Sequence, residues 1–123
     1  MTAQEELGTI QINPDVIATI SLMAAKEVTG IITGGSSLHD FINPRKKGIE
    51  VNTEDDNYAV IDIEVNVEYG IDVYKASHQL QRAVRNAVES MTGKPVKAVN
   101  VKIKGIVEGR GEKKPPSKIV MDN

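Results

Sequence analysis

From Tyr58 to Tyr69 the chain reads YAVIDIEVNVEY, apolar and polar residues alternating along the whole stretch. Successive side chains of an extended chain point to opposite sides, so this pattern predicts a strand with one buried and one wet face. Ala59, Ile61, Ile63, Val65 and Val67 turn inward, and Asp62, Glu64, Asn66 and Glu68 turn outward. Beyond Gly70 the period changes. Asp72 stands at a helix cap, and Val73, Ala76, Leu80, Ala83, Val84, Ala87, Val88 and Met91 keep helical register up to Thr92-Gly93, where glycine supplies a left-handed stop.

The same reading orders the rest of the chain. Gly8 to Ile12 alternates over five residues and predicts a short first strand. Asn13-Pro14-Asp15 opens a helix: an acceptor at the cap, proline at the first helical position, a carboxylate near the positive end of the dipole. Ile17, Ile20, Ala24 and Val28 form its apolar stripe, and Gly30 ends it. Residues 31–48 are irregular, with one helical turn expected over Ser37 to Ile42 before Asn43-Pro44. Ile49 to Thr53 pairs as a hairpin with the long strand across Glu54-Asp55-Asp56-Asn57. Pro95 to Val107 is the last strand, Val99, Val101 and Ile103 inward, Asn100, Lys102 and Lys104 outward. The order β-α-β-β-α-β predicts an α+β two-layer sandwich, two helices on one face of a small mixed sheet, with the strand order left open.

Length fits this as one domain over residues 8–107, between a flexible lead-in (1–7) and a mobile basic tail (108–123). The 123 residues are 40% hydrophobic but only 3% aromatic, so Val, Ile, Ala, Leu and Met must build the core. With no cysteine, neither disulfides nor thiolate metal sites are available. No apolar run approaches a bilayer span and the N-terminus lacks a signal pattern, which predicts a cytoplasmic protein without direct membrane insertion. The formal net charge of −2 is unevenly spread: from Lys94 onward eight basic residues face three acidic ones. Either Lys97, Lys102 and Lys104 neutralise the neighbouring acidic strand, or the tail binds an anionic partner.

Candidate chemistry is sparse. His39 and His78 lack further ligands at metal-binding spacing, and no cofactor is implied. The acidic turn at 54–57 lacks the spaced oxygens of a calcium loop. Gly34-Gly35-Ser36-Ser37 has no Lys-Ser/Thr continuation, and no serine sits in a nucleophile turn. RNA recognition wants exposed aromatics or a Gly-x-x-Gly clamp, whereas the open sheet face carries Asp62, Glu64 and Glu68. No catalytic residue emerges. What remains is Lys75, His78, Arg82 and Arg85, a positive row at spacings of three and four along the second helix. Such a row is either a solvated face or a docking strip for an acidic partner.

Several segments carry a resemblance: Gly8-x-Ile10-x-Ile12, Val16-Ile17-Ala18, Ala24-Ala25-x-Glu27-Val28-x-Gly30 and Lys47-Gly48-Ile49-x-Val51. It continues through Tyr69-Gly70-Ile71, Val88-Glu89-x-Met91-Thr92-Gly93 and Val99-Asn100-Val101-x-Ile103-x-Gly105-Ile106. In these segments, over Leu7 to Val107, the chain resembles the alkaline shock protein family, or general stress protein family, of Gram-positive bacteria. The resemblance implies a non-enzymatic cytoplasmic factor in stress tolerance and cell-envelope homeostasis, without cofactor or catalytic residues. It also implies a protein partner, with some relatives held at the membrane by a membrane-embedded anchor and some forming assemblies. The expectation is a protein-interaction module, a monomer or weak homo-oligomer when isolated. The alternative is a nucleic-acid-binding regulator using the basic segment from Lys94 to Lys118, and a ligand sensor stands third.

Overall fold

Asn13 begins the first helix as its side chain predicts, accepting a hydrogen bond from the Asp15 N–H at 2.7 Å, with Pro14 in the first turn. The computed structural model describes residues 7–33, 48–53 and 57–108. Within them lie α1 (Pro14–Lys26), β1 (Ile31–Ile32), β2 (Ile49–Asn52), β3 (Ala59–Glu68), α2 (Val73–Thr92) and β4 (Val96–Val107). Asp72 caps α2 by accepting from the Lys75 N–H at 3.0 Å, and Gly93 ends it at φ 75°. The expected turn of helix over Ser37 to Ile42, the acidic turn from Glu54 to Asp56 and the tail from Gly109 lie outside the described residues.

β3 is the spine of the sheet. On one edge β2 pairs antiparallel with Val60 to Ile63, and β1 pairs antiparallel with Asn66 and Val67. On the other edge β4 runs parallel along the full length of β3. The sheet is therefore mixed, with both helices on one face, and the fold is the expected α+β two-layer sandwich. Ile61, Ile63, Val65 and Val67 are buried against Ile17, Leu22, Leu80, Val84 and Val88. Every buried hydrophobic side chain described is aliphatic.

The strands depart from the sequence expectation in two respects. Gly8 to Ile12 forms no strand, and Ile10 is 92% exposed. Both edges of β3 are already occupied, and five alternating residues suit an extended segment as well as a strand. The fourth strand comes instead after α1, as β1, so the described order is α-β-β-β-α-β. Ten-residue β3 outlasts four-residue β2, and its remaining backbone groups need partners. β1, with the carbonyls of Gly48 and Gly30 accepting from Glu64 N–H and Glu68 N–H at 2.9 and 3.0 Å, supplies them.

Methionine is absent from the described core, with Met23 and Met91 both exposed. Val73 and Met91 lie in the end turns of α2, whose buried positions are Ala76, Leu80, Val84 and Val88. α1, by contrast, buries more than its predicted stripe, because it is flanked by α2 as well as by β1 and β2. Leu22 and Ser21 are fully buried. The Ser21 hydroxyl donates to the Ile17 carbonyl at 2.8 Å, so its burial leaves no open donor.

Candidate docking surface

The backbone of β3 fixes which groups of β4 face outward. Ala59 N–H and Tyr69 N–H donate to the carbonyls of Pro95 and Val107 on the β4 side, while Glu64 and Glu68 donate to the opposite side. Odd residues of β3 therefore address β4. In a parallel pair, the residues of β4 that answer them are Ala98, Asn100 and Lys102. The N–H and C=O groups of Val99, Val101 and Ile103 consequently turn to the free edge. Among the described residues β4 pairs with no strand but β3.

That edge is interrupted in two places. The register passes from Ala59↔Val96 to Val60↔Ala98 and from Val65↔Ile103 to Asn66↔Gly105. Lys97 and Lys104 are thus the extra residues of two β-bulges. Bulges and lysines are both means by which an edge discourages pairing, and here they coincide. Lys97 is also fastened, its Nζ donating to the Tyr58 hydroxyl at 3.2 Å and lying 4.7 Å from the ring centroid. Between the bulges, Ala98 to Ile103 is regular strand.

α2 runs beside this window. The Gln81 amide donates to the outward Val99 carbonyl at 3.0 Å, and its Oε1 meets His78 Nδ1 at 3.1 Å. With the amide nitrogen committed to the carbonyl, Oε1 accepts and His78 Nδ1 donates. Tyr74 sets its ring edge-on to His78, with centroids 4.9 Å apart. An open groove of about 310 Å³ results, walled by His78, Gln81, Arg82 and Arg85 on the helix and by Ala98, Val99 and Asn100 on the strand.

Three residues of the sequence-derived row, His78, Arg82 and Arg85, thus line one groove. Lys75 does not: it lies in the first turn of α2, exposed, its N–H held by Asp72. Sequence reasoning missed Gln81 and Asn100, whose place in the wall depends on how α2 packs beside β4. Asn100 donates to Asp62 Oδ1 at 2.8 Å across the sheet.

The remaining surface offers other shapes. A hollow of about 760 Å³ is bounded by residues 10–14 with Thr53, Thr92 and Lys94, and Lys94 is its one charged residue among those described. Among the described residues no set of three His, Asp or Glu side chains could hold a metal ion. No described helix is long and apolar enough to cross a membrane. His39 and the glycine–serine turn at 34–37 lie outside the described residues.

Comparison with known proteins places the chain in a family. The chain is 36% identical over 110 residues to the uncharacterized protein Spy1535 of Streptococcus pyogenes serotype M6, covering 84% of this chain and 82% of that one. It is 31% identical over 107 residues to the uncharacterized protein YqhY of Bacillus subtilis strain 168, covering 81% and 78%. Among solved structures, a MamM-CTD variant superposes with a TM-score of 0.48 at 14% identity, covering 76% of this chain and 98% of the other. The family model with a cell envelope-related function matches residues 2–108, and the chain belongs to that family, the alkaline shock protein 23 family.

Proposed function

We propose that this chain is a non-enzymatic docking module of cell-envelope homeostasis, binding an acidic protein partner through the basic face of α2. The observation that carries the reading is the placement of His78, Arg82 and Arg85 along one groove, its other wall the free edge of β4. Both guanidinium groups are exposed, and a bidentate donor fork suits a partner's carboxylates. Lys75 extends the same charge toward the start of the helix. The family's envelope-related function supports a partner at the envelope. A membrane-embedded anchor protein that holds this cytoplasmic module at the membrane fits that proposal.

The test is capture of partners from native cells by the full chain, with and without Arg82→Glu and Arg85→Glu together. Both positions are exposed, so the fold should persist, which circular dichroism and the urea midpoint will verify. Loss of the captured partner with an intact fold is the expected result. Unchanged capture would remove the helix strip from the interface.

A further inference from the structure

We infer that the partner docks by adding an extended, acidic strand to the free edge of β4 between its two bulges. The inference rests on the proposed function and specifies how the partner is held. Three observations converge on it. The outward backbone groups of Val99, Val101 and Ile103 form a short regular edge, bounded by the bulges at Lys97 and Lys104. An added strand would meet basic side chains on both of its faces: Arg82 and Arg85 on the helix side, Lys102 on the open side. Finally, the protein already contains the complementary pairing. On the other side of β4, β3 sets Asp62 beside Asn100 and Glu64 beside Lys102 in parallel register.

Charge then explains how an unpaired edge is tolerated. A second copy of β4 would bring its lysines against these, and like charges facing each other disfavour that pairing. An acidic strand meets the opposite sign. The same lysines that repel self-pairing select the ligand, while backbone hydrogen bonds hold it. Gln81 occupies the Val99 carbonyl in the free protein and must give it up to an incoming N–H. That exchange swaps one hydrogen bond for another and releases the Gln81 amide toward the strand's carboxylates.

The test uses the full chain and three synthetic fluorescein-labelled peptides. The first has the sequence Val-Glu-Glu-Val-Asp-Glu-Val, with acids on both faces, the second replaces its acids with lysine, and the third keeps the acids but carries N-methyl groups on successive backbone amides, so that both of its edges are blocked. Fluorescence anisotropy should show binding of the first peptide only. Arg82→Glu with Arg85→Glu should weaken it at least tenfold, and hydrogen exchange at the Val101 and Ile103 amides should slow on saturation. Equal binding of the methylated peptide, or unslowed exchange at those amides, would overturn strand addition. The docking reading would survive that result if binding still required the two arginines. Failure of the acidic peptide to bind at all would overturn the inference, and sedimentation showing β4-dependent dimers would assign the edge to a second copy instead.

Discussion

Gly30 shows how one residue can hold two elements together. It adopts φ +88°, and a Cβ built there would lie 2.7 Å from Ile71 Cδ1. Its carbonyl meanwhile accepts from Glu68 at the end of β3. Gly30→Ala therefore places an L side chain in a left-handed conformation, costing about 1–2 kcal/mol, and pushes Ile71 out of its packing. The expected outcome is a lower urea midpoint with an unchanged slope. Adding Ile71→Val, which deletes the nearest methyl but keeps Cγ2 at 3.1 Å, should recover part of the packing loss but not the backbone part. A Gly30→Ala protein as stable as the parent would show that the backbone relaxes without strain. Glycine at this position was readable in sequence only as a helix end. Its contact with Ile71 joins residues 41 positions apart and leaves no local trace.

Among the elements, the legible ones are those whose signals are local. Asn13-Pro14-Asp15 and Asp72 cap their helices, Gly93 stops the second, and β3 alternates long enough for only one face to be buried. The sheet was less legible. β1 has two residues, too few for any period, and exists because β3 is longer than β2. The parallel course of β4 depends on α2, which crosses over from the end of β3 to the start of β4. For the site, the spacing of His78, Arg82 and Arg85 was visible, but the opposite wall belonged to a strand whose position was not. The misread segment gives a sharp comparison. Ile10→Ala should change stability by no more than about 0.5 kcal/mol, since Ile10 is 92% exposed. Ile63→Ala, at 1% exposed in central β3, should cost about 2–5 kcal/mol. Denaturation curves of the two variants check this, and a large loss at Ile10 would place that segment in the folded core. The open face of the sheet carries a further liability: Glu50 on β2 stands directly opposite Asp62 on β3. Like charges so placed repel, so Glu50→Thr should raise stability by on the order of 0.3 kcal/mol, an effect that added salt should shrink. No rise at low salt would show that the repulsion is already relieved.

Across the whole molecule, acidic charge gathers on the open face over β2 and β3, with Lys102 of β4 on the same face nearer the edge. Glu50, Asp62, Glu64 and Glu68 share the open face of the sheet, while Arg82 and Arg85 project from the helix layer beside β4. With a formal net charge of −2, the chain repels an acidic partner weakly from afar and attracts it at the groove. Salt decides the balance. The layers are on the order of 10 Å apart, longer than the screening length of about 8 Å at physiological ionic strength and far shorter than the roughly 30 Å at 0.01 M. Near physiological salt the partner feels mainly the arginines. In dilute buffer the acidic face reaches it as well and offsets them. Affinity for the acidic heptapeptide should therefore climb as sodium chloride falls toward about 0.1 M, then level off below about 0.03 M. Replacing the distant acids by Glu50→Gln and Glu68→Gln leaves the groove untouched, so the climb should continue to the lowest salt. Anisotropy titrations across the salt series distinguish the cases. If parent and double variant rise in parallel throughout, the acids of β2 and β3 have no reach to the groove and play no part in partner choice.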